Sequence, residues 1–189
     1  MEIKLIEPQI DLKELEIAIG KSSNFEFVHQ FFSTTISSLA DPETLIDVLN
    51  HIADVPELHQ FLLGQADYSS SSEEFRINRL DKFSYFKKDK AFFGEILAGA
   101  ALDIIGAYSK TLRFATPEEA ETATKPFERF GKFEGFMLSR HPSENYHENR
   151  STAPAYYCSW FFDVVWDYLL IATWPEKKIF WIGCLTDSD

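Results

Sequence analysis

Two apolar segments rich in β-branched and aromatic residues, Leu169–Trp174 and Ile179–Leu185, flank the polar break Pro175-Glu176-Lys177-Lys178. Strand-forming runs on either side of so short a break predict a β-hairpin. With the turn centred there, Trp166, Tyr168, Leu170 and Trp174 share a face with Ile179, Trp181 and Leu185. Leu169 and Ile171 share the other face with Ile182 and Cys184. Neither face is polar, so these strands belong inside the molecule, covered on two sides.

Upstream, Ile3–Ile6 reads as a short strand and Asp11–Ile19 as an amphipathic helix stopped by Gly20. Phe25, Val28, Phe32, Ile36 and Leu39 recur at helical spacing and predict a helix from Asn24 to Leu39. Asp41 as N-cap and Pro42 in the first helical position start another, with Leu45, Val48, Leu49 and Ile52 on its inner face. Asp54-Val55-Pro56-Glu57 resembles a capping box and opens a helix burying Leu58, Phe61 and Leu62 near Gly64. Ser69–Ser72 is a polar joint.

Beyond it, a helix is expected from Asp89 to Tyr108, its Ala98, Gly99, Ala101 and Gly106 small enough to admit a neighbouring element. Thr116-Pro117-Glu118-Glu119 starts a helix running to Phe130. Lys132–Arg140 is an expected strand, His141–Pro154 a polar loop, and Tyr156–Trp166 contains a bend near Asp163. The fold class expected is α+β: N-terminal helices packed with a C-terminal antiparallel β-sheet that contains the Trp-rich hairpin. A chain of 189 residues fits one domain, with an acidic helical part over 1–75 and a helix-plus-sheet part over 76–189. At this length roughly 70% of the unfolded surface can be buried, so no metal or disulfide is needed to hold the fold.

Cys158 and Cys184 are the only cysteines, and the hairpin register places Cys184 opposite Leu169 and away from Cys158. Unpaired thiols suit a reducing compartment. The start Met-Glu-Ile-Lys-Leu-Ile-Glu lacks the pattern of a signal peptide, and Glu95, Asp103, Asp163 and Asp167 interrupt the two longest apolar runs. The expectation is a cytoplasmic protein without membrane spans.

Charge is distributed unevenly. Residues 1–75 hold 3 Lys/Arg against 14 Asp/Glu, a net of −11, while residues 76–189 hold 15 against 16, a net of −1. Such asymmetry creates a directional field that steers basic partners and repels nucleic acid. Asp41, Glu43, Asp54 and Glu57 lie at helix starts, where each offsets the macrodipole by about 0.3–1 kcal/mol. Helix capping therefore explains part of the surplus. It does not explain Asp47, in mid-helix, nor Glu73 and Glu74 after the serine run. The surface singled out as partner-binding is Glu43, Asp47, Asp54, Glu57, Glu73 and Glu74.

Sites for chemistry are sparse. His141, Glu144, His147 and Glu148 offer two imidazoles and two carboxylates within eight residues, a donor set for zinc or manganese, but Pro142 prevents one continuous helix. Asp163 and Asp167 stand four apart and suit a magnesium or acid/base pair. These groups define the alternative, a metal-dependent hydrolase or transferase. His29, His51 and His59 fall on different expected helices, no serine sits in a nucleophile elbow, and neither cysteine has a basic neighbour. The glycines form no phosphate loop. The basic stretch Arg76–Lys90, with Phe83, Tyr85 and Phe86, has the composition of a single-stranded nucleic-acid surface, yet the acidic half beside it opposes that use. Pairing with the acidic half, or simple solvation, is the simpler role. No catalytic residue and no cofactor is expected.

The size, the acidity and the C-terminal segment WDYLLIATWPEKKIFWIGCLTDSD together resemble bacterial immunity proteins of contact-dependent growth inhibition and related polymorphic toxin systems. The resemblance implies a one-to-one complex with a cognate toxin domain, often a nuclease, whose active site is blocked. It carries over no individual residue.

Overall fold

The computed structural model describes residues 2–22, 25–36, 39, 41–62, 79–80, 85–105, 111, 113–139 and 168–187. Its elements, in chain order, are β1 (Ile3–Ile6), α1 (Lys13–Ser22), β2 (Phe25–Thr34), α2 (Pro42–Asp54), α3 (Pro56–His59), β3 (Tyr85–Lys88), α4 (Lys90–Ala101), α5 (Pro117–Phe130), β4 (Glu134–Ser139), β5 (Tyr168–Trp174) and β6 (Ile179–Asp187). The expected α+β class holds. One six-stranded sheet, in the order β1-β2-β6-β5-β4-β3, is antiparallel throughout.

The hairpin has the register read from the sequence, with Leu169 opposite Cys184 and Ile171 opposite Ile182. Pro175–Lys177 forms a 3₁₀ turn, and Lys178 closes it at φ +53°. The two faces separate as anticipated for the described residues, and Trp166 lies outside them. Leu169, Ile171, Ile182 and Cys184 join one core with Leu45, Val48, Leu49 and Ile52 of α2. Tyr168, Leu170, Trp174, Trp181 and Leu185 join the other with residues of α1, α4 and α5. The sheet is therefore the middle of three layers. Each large apolar side chain fully removed from water there contributes roughly 1.5–3 kcal/mol.

On the second face an aromatic wall forms around Phe127, whose ring centroid lies 5.3 Å from Phe93, 5.0 Å from Trp181 and 6.2 Å from Trp174. The Trp174 indole also donates to the Gly131 carbonyl, at 3.2 Å, anchoring the turn that leaves α5.

The expected helix over residues 24–39 is instead the strand β2, and it pairs with β6 from Phe25 to Ser33. Phe31 and Phe32 are adjacent, both are buried, and they enter opposite cores. β2 meets a core on each face, with Phe31 and Phe32 buried and residues 26–30 half-buried, so its apolar residues keep to no single alternation and can mimic helical spacing. The N-terminal part of the chain is accordingly not a set of helices alone. It supplies β1 and β2 to the same sheet as the C-terminal hairpin.

Three boundaries also differ. Helix α1 continues through Gly20 to Ser22, since nothing forces that glycine out of helical geometry. The residue capping α3 is Val55, which offers no side-chain bond, so Asp54 ends α2 without closing a capping box. Helix α4 stops at Ala101 because Asp103 turns left-handed, at φ +54°, and Ile104 and Asp103 donate back to the carbonyls of Gly99 and Ala100. This is a Schellman closure. The small residues of α4 do admit neighbours. A Cβ on Gly99 would lie 2.9 Å from Ile105 Cγ2, and one on Gly94 would lie 2.8 Å from the Ala120 carbonyl of α5.

Candidate acidic interface

Helix α2 begins as its sequence dictates. Asp41 accepts from the Thr44 N–H at 3.0 Å and from the Thr44 hydroxyl at 2.9 Å, and Pro42 needs no donor partner in the first turn. Burying Leu45, Val48, Leu49 and Ile52 fixes the rotation of the helix and turns Glu43, Asp47 and Asp54 outward, where all three are exposed. Spacings of four and eleven residues keep these carboxylates within one narrow stripe. Glu57, on α3, is exposed as well. From Ser22 to Phe75 the sequence contains no lysine or arginine.

The stripe is not uniform. Asn50, on the same side, holds the backbone of Leu80, donating to its carbonyl at 2.9 Å and accepting from its N–H at 2.7 Å. That clamp brings Arg79 to Asp54, and the two form an ion pair. One arginine of the basic stretch thus neutralises the C-terminal end of the acidic stripe. Lys87 pairs with Asp89 at 3.3 Å, Lys88 with Glu134 and Lys90 with Glu128. Among the described cations of this stretch Arg79 pairs with the acidic half, whereas Lys87, Lys88 and Lys90 pair with carboxylates of residues 76–189.

Of the six singled-out acids, Glu43, Asp47 and Glu57 are exposed on α2 and α3 without an ion pair among the described residues. Asp54 is beside them but is engaged by Arg79. Glu73 and Glu74 lie outside the described residues, as do His141, Glu144, His147, Glu148, Asp163, Asp167 and Cys158. Among the described residues no three His, Cys, Asp or Glu side chains gather in a way that would hold a metal ion, and no helix is long and apolar enough to cross a membrane.

The histidines do not converge. His29 is on strand β2, where its Nε2 donates to Glu16 at 2.7 Å and ties α1 to the sheet. His59 donates from Nδ1 to the Ile52 carbonyl at 3.0 Å, fastening α3 to the end of α2. His51 belongs to the last turn of α2. Both bonded imidazoles join elements and are placed as structural ties.

Sequence reasoning missed the Asp54–Arg79 pair, because the partners are 25 residues apart and only the Asn50–Leu80 clamp brings them together. It also missed the second acidic surface, around Glu14 and Glu118, which forms only where α1 and α5 meet α4. Neither a scan of family models nor searches of curated proteins and of solved structures gave a match to this chain.

Proposed function

We propose that this chain is an immunity protein that binds and neutralises a cognate bacterial toxin domain, a basic nuclease, in a one-to-one cytoplasmic complex. The observation that carries the reading is the exposed set Glu43, Asp47 and Glu57, without an ion pair among the described residues and borne by helices in a stretch without lysine or arginine. A nuclease presents a positive groove to its substrate, and a rigid array of carboxylates competes for that groove. Opposite fields raise the rate of encounter, and close charge pairs slow dissociation. The likeness of the C-terminal segment to immunity proteins points the same way.

The test begins with the gene immediately upstream: if it encodes a large secreted protein with a variable C-terminal domain, that domain is paired with the full chain. Co-expression should rescue growth, and the purified proteins should bind. Glu43→Lys, Asp47→Lys and Glu57→Lys together should slow association at least about tenfold at low salt, with the thermal midpoint lowered by only about 2–8 °C through the loss of two helix-start charges. Unchanged association of the triple variant would move the interface elsewhere. A stoichiometric divalent metal, lost in His141→Ala, would replace this reading with the metal-dependent hydrolase or transferase.

A further inference from the structure

On the face of the sheet opposite the acidic helices, α1, α4 and α5 enclose an open groove of about 370 Å³. This is within the size range of small-ligand sites. Its apolar lining comes from Leu15 and Ala18 of α1, Ala98 and Ala101 of α4, and Ala123 of α5. Short side chains on all three helices leave the space unfilled. Leu102, at the end of α4, is 46% exposed beside it, a large apolar group left in water.

The polar lining has one sign. Glu14, Glu118 and Glu119 border the groove, and among the described residues no lysine or arginine does. Glu119 is already balanced, for Arg113 donates to both its oxygens at 2.8 Å. Glu14 and Glu118 are exposed and have no ion pair among the described residues. A third acceptor arises from the backbone. Pro126 stands inside α5 and has no N–H, so the carbonyl of Thr122, four residues earlier, lacks its helical donor. Both residues line the groove. Donors are what this site wants, and it wants them on a molecule with an apolar body.

We propose that the groove binds a small amphipathic cation, an ammonium or guanidinium on a hydrocarbon or aromatic body. The body lies on Ala18, Ala98, Ala101 and Ala123, and the cation lies toward Glu14, Glu118 and the Thr122 carbonyl. Carboxylates at the mouth of an apolar slot favour a cation over an anion of the same shape, because desolvating the body is common to both and only the charge contact differs. The site stands whether or not the helices on the other face bind a toxin.

The probes are 4-phenylbutylamine, protonated at neutral pH, and 4-phenylbutyrate, its anionic counterpart of matching shape. Each is titrated into the full chain and followed by amide chemical shifts. The amine should give saturable shifts at Ala18, Ala101, Leu102 and Ala123, with a Kd of about 1 mM or tighter, the affinity open to a ligand of this size. The carboxylate should bind at least about fivefold more weakly. Glu14→Gln with Glu118→Gln should remove that discrimination, while Glu43→Gln with Asp47→Gln, on the opposite face, should leave it intact. Equal affinity for the two probes, shifts located elsewhere, or no saturation by about 10 mM amine would overturn the proposal. So would the same shifts on concentrating the protein alone, which would assign the groove to a second copy of the chain.

Discussion

The indole of Trp181 lies along its own strand and across Gly183, the next residue on that face. A Cβ there would stand 2.0 Å from Cη2 and 2.6 Å from Cζ2. The ring cannot swing away freely, since Phe93 and Phe127 pack edge-on against it with centroids at 5.9 and 5.0 Å. Gly183 is thus required by its lack of a side chain. Gly183→Ala should lower stability by about 1–3 kcal/mol through overpacking, read as a reduced urea midpoint with an unchanged slope. Trp181→Leu in the same chain should recover part of that loss. An unchanged midpoint in the single variant would mean the wall can be repacked at little cost.

At the level of elements, the N-terminus of α5 combines two devices. Thr116 accepts from the Glu119 N–H at 3.3 Å, and Glu119 accepts from the Thr116 N–H at 2.8 Å, a reciprocal capping box. Arg113 adds its bidentate pair, and its hydrogen bonds, with the backbone bond from Thr116, hold the Glu119 carboxyl at about 2, below its ordinary 4.5. A depressed folded-state value means that this stabilisation is complete above pH 4.5 and is lost as pH falls toward 2. Glu119→Gln keeps a side-chain acceptor for the Thr116 N–H but loses the charge. It should be less stable than the parent at neutral pH, and the difference in urea midpoint should shrink through that acid window. A constant difference would assign the effect to geometry and not to charge.

The elements also differ in how plainly the sequence announces them. Helices α2 and α5 are legible because Asp41-Pro42 and Thr116-Pro117 act within a few residues of the turns they start. The hairpin is legible because its turn fixes the register of both strands. Strand β2 is not, since what makes it a strand is nine residues of pairing with β6, far along the chain. The same division runs through the candidate site. Glu43 and Asp47 are placed by the periodicity of their own helix, whereas the fate of Asp54 depends on Arg79, and the groove depends on three helices at once.

For the whole molecule, both ends of the chain build one sheet. Strand β2 lies between β1 and β6, so the N-terminal segment completes its hydrogen bonding only against the last strand. Helix α2 likewise covers a core whose other wall includes Leu169, Ile171 and Ile182. A fragment of residues 1–75 should therefore show no cooperative thermal or urea transition, although α2 alone carries strong local signals. Cooperative unfolding of that fragment, monitored by circular dichroism, would show that the N-terminal part is self-sufficient.

The place of β2 in the sheet also has a consequence in time. About 145 residues separate the end of β2 from the start of β6, and a ribosome takes roughly 7–30 s to add them at bacterial and eukaryotic rates. For most of that interval β2, which packs against a core on each face, is outside the exit tunnel with its principal partner not yet made. The segment that waits is also the one carrying the −11 charge of residues 1–75. Repulsion between nascent chains of like charge would oppose their association until β6 arrives. The acidity of the N-terminal part would thus serve the protein during its synthesis, before any partner is met.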